Sequence, residues 1–166
     1  IHTITVKDAN GCTAVKTITI TQPGSNTMAV TSTAAAINCN GATTSVTVSA
    51  TGGTAPYTGT GSFTVSAGTY TYTVTDVSFG VKTTTITITQ PTALSATVTA
   101  GTINIYGGLT TITVAASGGT IPYTYKLGSG NYQSANVFAN IAAGNYIITI
   151  KDKNGCLLTR NLTITQ

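Results

Sequence analysis

Charge is what this sequence has least of. Seven Lys+Arg stand against three Asp+Glu, 6% of 166 residues, where an ordinary globular domain carries about a quarter. Glutamate and tryptophan are absent, and His2 is the single histidine. Each shortage closes off a class of function. Acid–base chemistry on paired carboxylates needs two acids held close together, and Asp8, Asp76 and Asp152 are far apart along the chain. A histidine-based triad has only His2 to build on. The net charge of +4 is spread without a Lys/Arg cluster, so no nucleic-acid partner is expected. The apolar runs fall far short of the ~20 residues that a membrane helix needs, so no membrane span is expected. Zinc wants four ligands at close spacing, which nothing here supplies. The expectation is a protein that is not an enzyme and holds no metal or cofactor.

What the sequence has in quantity is threonine, 39 of 166 residues, and repetition. The segment ITVKDANGCTAVKTITITQP (4–23) returns as YTVTDVSFGVKTTTITITQP (72–91) and as IITIKDKNGCLLTRNLTITQ (147–166). Asp8, Asp76 and Asp152 are 68 and then 76 residues apart, and Gln22, Gln90 and Gln166 repeat the same steps. ATGGTAPYT (50–58) likewise returns as ASGGTIPYT (116–124), and AGTY (67–70) as AGNY (143–146). Self-similarity at a fixed period marks a repeat architecture. We therefore divide the chain into the C-terminal strands of a preceding repeat (1–23), a first full repeat (24–91) and a second (92–166), a window on a longer array. The second repeat has ten more residues, in YKLGSGNYQSANVF (125–138), which read as a β-hairpin around Gly128–Gly130. The first repeat is accordingly expected to have fewer strands.

Period-two alternation, as in Thr17–Ile18–Thr19–Ile20–Thr21 and Thr85–Ile86–Thr87–Ile88–Thr89, predicts strands with one apolar and one hydroxylated face. No stretch holds a 3.6-residue period, so the fold class is all-β. DANG (8–11) and DKNG (152–155) read as hairpin turns, with the aspartate bonding the turn backbone. Each AGxY places a tyrosine, Tyr70 or Tyr146, where a Greek-key sandwich has its tyrosine corner. The same step lands on His2, which reads as a corner residue. The architecture expected is a string of small immunoglobulin-like β-sandwiches. Short Gln-Pro junctions in place of Gly/Ser linkers favour a stiff rod. A Ca²⁺ site at Asp8, Asp76 or Asp152 is disfavoured against turn capping, because each repeat offers a single acid where Ca²⁺ wants several.

Cys12 and Cys156 hold one position, just after the hairpin turn, where the first full repeat has Gly80. Cys39 holds another, matched by Ile105 in the second repeat. Pairing within a repeat leaves two half-filled pairs. Pairing across a junction completes Cys12–Cys39 and leaves Gly80 and Ile105 as a wholly absent pair. The expectation is a Cys12–Cys39 disulfide between consecutive repeats, with Cys156 bonded outside this window. Three buried free thiols are the alternative.

CNG (39–41), GGTAPYT (52–58), AGTYTYTVTD (67–76), DANGC (8–12) and TITITQP (17–23), in this order of recurrence, resemble the SprB-type repeats of very large Bacteroidota cell-surface proteins. The resemblance covers essentially the whole chain and departs at Gly80, Ile105 and the missing hairpin. It implies a secreted tandem-repeat adhesin, extracellular and outer-membrane associated. Export by the type IX system and movement by the gliding machinery are implied as well. The expected role is the shaft of a surface filament for gliding and attachment, its partners being neighbouring repeats and the gliding and secretion machinery. The rival reading is a module that binds polysaccharide or an abiotic surface directly, with Tyr125 and Tyr132 of the extra hairpin as the contacts.

Overall fold

A computed structural model describes residues 1–19 and 27–166. All regular structure in these residues is β. The first two strands, β1 (His2–Lys7) and β2 (Thr13–Ile18), form an antiparallel hairpin. Six strands follow in the first full repeat: β3 (Ala29–Ala34), β4 (Thr44–Thr51), β5 (Tyr57–Thr58), β6 (Gly61–Val65), β7 (Gly68–Asp76) and β8 (Val81–Ile88). Six more make up the second: β9 (Ser95–Ala100), β10 (Thr110–Ser117), β11 (Thr124–Leu127), β12 (Val137–Ile141), β13 (Gly144–Lys151) and β14 (Leu157–Ile164).

Each full repeat folds into two three-stranded sheets, ordered β3-β4-β6 and β5-β7-β8 in the first, β9-β10-β12 and β11-β13-β14 in the second. All pairings within these sheets are antiparallel. Alternation decides which residues fill the space between sheets, since successive side chains of a strand point to opposite faces. Val46 and Val48 of β4 meet Val74 of β7 and Ile88 of β8; Ile112 and Val114 of β10 meet Ile148 and Ile150 of β13. Ile37 and Ile103, equivalent positions in the loops after β3 and β9, are buried in the two cores. Thr69, Thr71, Thr85 and Thr87 on the alternate positions of the first repeat stay at the surface, whereas Thr149, between Ile148 and Ile150 in the second, is buried.

The expectation that the first repeat has fewer strands is wrong. Among the described residues both have six, and β5 and β11 are equivalent. The ten extra residues lengthen that strand from two residues to four and then form a loop closed by one isolated bridge, Tyr125 to Gln133. The expected hairpin around Gly128–Gly130 is thus a loop with one bridge and not a pair of strands, and it adds length rather than a strand.

Candidate functional site

Aspartate organises one end of each repeat. Asp76 and Asp152 are buried, 5% and 3% exposed, at the start of the turn joining the last two strands. The Cys156 backbone N–H donates to Asp152 Oδ1 at 2.8 Å and that of Thr120 to Oδ2 at 2.9 Å. Gly80 and Thr54 donate to Asp76 in the same way, at 2.7 and 3.0 Å. The carboxylate therefore ties the hairpin turn to the Gly-Gly-Thr loop. That loop needs its glycines: Gly52 and Gly118 both have φ of +70°, and a Cβ on Gly118 would lie 2.0 Å from Ala93 O. Asp8 is exposed and bonds its own turn, accepting from Asn10 and Cys12 N–H at 3.0 and 2.8 Å. Both carboxylate oxygens of Asp76 and Asp152 accept backbone N–H groups, whereas Asp8 takes both of its bonds on Oδ1. Among the described residues no group of three or more metal-binding side chains forms.

Tyrosine and glutamine fix the rest of the frame. Tyr70 donates to Ser66 O at 3.2 Å and Tyr146 to Ala142 O at 3.0 Å, each four residues upstream. Tyr57 and Tyr123, of the two PYT motifs, donate to Gly52 O and Gly118 O. Gln90 Oε1 accepts from Gly41 N–H at 2.7 Å and Gln166 Oε1 from Gly107 N–H at 2.9 Å. The glutamine at the end of each of the two full repeats thus caps the turn after the loop cysteine position. Gln22 lies outside the described residues. His2 sits exposed on β1, paired with Ile18.

The disulfide joins Cys39 to Cys156, 117 residues apart, with Cα atoms 5.6 Å from each other. Cys12 is an exposed free thiol. The expected Cys12–Cys39 pairing is therefore wrong, and so is a partner for Cys156 outside the chain. The reason is the direction of the strands. The chain enters the first repeat beside the Gly-Gly-Thr loop, where Gly52 abuts Thr27. It then runs along six-residue β3, about 20 Å of strand, before reaching Cys39. At that far end Cys39 lies beside the exit at Gln90–Pro91, where Asn40 Nδ2 donates to Pro91 O at 3.0 Å. The second repeat begins directly after this exit, and its Asp152 turn carries Cys156. Asn154 of the same turn donates to Asn38 O at 3.1 Å and to Thr120 Oγ1 at 3.0 Å. The bond pairs the loop of the first full repeat with the turn of the second, and Asn154 is a junction residue that sequence reasoning missed.

The two tyrosines proposed as surface contacts part company. Tyr125 is 7% exposed and belongs to the second core, so it is not available at the surface; burial, with Tyr123 nearby, raises its pKa above the ordinary 10.0. Tyr132 is 36% exposed. Lys151 Nζ lies 4.2 Å and Lys126 Nζ 5.2 Å from its ring centroid. No family model and no curated protein matches the chain.

Proposed function

We propose that this chain is a shaft segment of a long, secreted, cell-surface adhesin filament of the SprB-repeat kind, serving gliding and attachment, in which the repeats are immunoglobulin-like sandwiches set end to end as a rod. The observation that carries the reading is the Cys39–Cys156 bond between two successive repeats. A covalent tie from the end of one domain to the start of the next suits a spacer that must keep its length. A polar contact across the same junction, Asn154 to Asn38, limits swivelling around it. The strand orders support the domain type: with β3 to β8 lettered A, B, C, E, F and G, the sheets are A-B-E and C-F-G, the immunoglobulin arrangement without strand D. A structural disulfide also favours an oxidising, extracytoplasmic setting.

Fluorescent antibody against this segment, applied to live intact source cells and followed over time, tests the reading. Label that travels along the cell surface is the expected result. Static surface label reduces the role to a stalk or coat. Label seen only after the cells are broken overturns the surface filament.

A further inference from the structure

We propose that the outer face of β11 and β13 in the second repeat is a binding site for an acidic polysaccharide, formed by Tyr132 with Lys126 and Lys151. The inference is independent of whether the repeats form a shaft, and it rests on the ten residues that only the second repeat possesses.

Those residues are held in place. Gly128 N–H donates to Ile147 O at 2.8 Å and Gly130 N–H to Leu127 O at 3.0 Å. The Tyr125 and Gln133 backbones exchange both N–H···O bonds, at 2.8 and 2.9 Å. Gln133 Nε2 donates to Ala135 O and Val137 O, and Asn136 Nδ2 to Val114 O, each at 2.9 Å. Tyr132 precedes Gln133, so its ring is carried on an ordered segment. Beneath it, alternation turns Tyr125 and Ile150 into the core and sends Lys126 and Lys151 to the opposite face. Thr124 pairs with Lys151 and Lys126 with Thr149, so the two lysines are diagonal neighbours across one strand pair.

Two ammonium groups are thereby gathered around one half-open phenol ring. A ring face offsets part of their mutual repulsion, and an anion would offset more. No acid of this repeat does so: Asp152, next to Lys151 in sequence, is buried with both carboxylate oxygens taken by backbone N–H groups. The vacant partner is therefore negative, and the ring beside it offers a flat apolar face of the kind on which sugar C–H groups stack. Lysine supplies a point charge that pairs with a carboxylate or sulfate without demanding the bidentate geometry of arginine. One ring and two lysines also lack the successive stacking platforms and basic groove that single-stranded nucleic acid takes.

The test is affinity electrophoresis of the whole purified chain through gels containing polygalacturonate, with dextran as neutral control and oligothymidylate as the nucleic-acid probe. Retardation by polygalacturonate, absent with dextran and abolished by 0.5 M salt, is expected, about that of a weak site whose charge pairs are screened at a Debye length near 4 Å. Tyr132→Ala and the Lys126→Gln/Lys151→Gln pair should each weaken it at least tenfold, while Lys82→Gln in the first repeat leaves it unchanged. Thermal melts establish that the variants are folded, and Tyr132→Phe, which keeps the ring, should retain binding. Equal loss with Lys82→Gln makes the effect diffuse charge and overturns the site. So do equal retardation by dextran, binding retained in Tyr132→Ala, tighter binding of oligothymidylate, or no binding at low salt.

Discussion

The two full repeats carry one frame and differ where that frame faces outward. Both have a buried aspartate bonded to the turn and to the Gly-Gly-Thr loop, a tyrosine bonded four residues back, and, at the opposite end, a glutamine on the loop turn. At the turn tip they diverge. The second repeat has Gly155 at φ +87° followed by Cys156, whereas the first has Phe79 at φ +62° followed by Gly80. Phe79 is 88% exposed, so it gains no burial for occupying a conformation that suits glycine. The outer faces diverge as well. Thr69 pairs with Thr87 and Thr71 with Thr85 through their hydroxyls, at 3.1 and 3.0 Å, where the second repeat sets Asn145, Ile147 and Asn161 among its threonines. The internal hydrogen bonds are what the two repeats share; tips, loops and outer faces are where they differ.

Breaking the disulfide should lower the stability of the joined repeats most. Closing a loop of 117 residues is worth about 5 kcal/mol in the chain-entropy account. Urea unfolding of Cys39→Ser should show a loss near that, matched by wild type under reductant; a loss below about 1 kcal/mol would mean the tie is not what holds the pair. Next come the aspartates. Asp76→Ala and Asp152→Ala each strip a carboxylate from two backbone donors and should cost about 3 kcal/mol, alike in both repeats, whereas exposed Asp8→Ala should cost little. A marked inequality between Asp76 and Asp152 would contradict a shared frame.

Phe79→Gly should raise the stability of the first repeat by about 1 kcal/mol by relieving the left-handed residue, and Gly155→Phe should do the reverse in the second. Tyr72→Phe should add about 0.5 kcal/mol. Its hydroxyl is buried without a partner among the described residues while its ring packs on Phe63 at 4.8 Å, and the second repeat has fully buried Ile148 at this position. The smallest effect is at alkaline pH. Because the folded Tyr125 pKa is raised, the unfolded chain loses that proton first, so stability falls as pH climbs from the ordinary 10.0 through the folded value. Tyr125→Phe should flatten that fall in a pH series of melts, and an unchanged slope would assign it to other tyrosines.

The turn and corner parts of this frame were legible in the sequence because they are local: Asp152 and Cys156, like Tyr146 and Ala142, are four residues apart. The bond of Gln90 to Gly41 spans 49 residues, and only the recurrence of the glutamine could be read. The strand count was misjudged because ten extra residues imply a new element only if they pair along their length, and Gln133 makes the single bridge. Tyr125 was readable and was missed: flanked by Thr124 and Lys126, it had to face inward once the lysine faced water. The disulfide was not readable from either pairing rule. Which cysteine meets Cys39 depends on which end of a sandwich each turn occupies, and strand period carries no information about that.

The bond between Cys39 and Cys156 also decides how the pair answers a pull. Tension entering at residue 27 and leaving at Gln166 reaches the two sulfurs and crosses between them. The 117-residue span they enclose, at ~3.4 Å per residue some 400 Å of extensible chain, is bypassed. Only β3 and β14, each an edge strand of its sheet, lie on the force-bearing path, so two domains yield no more slack than two peeled strands.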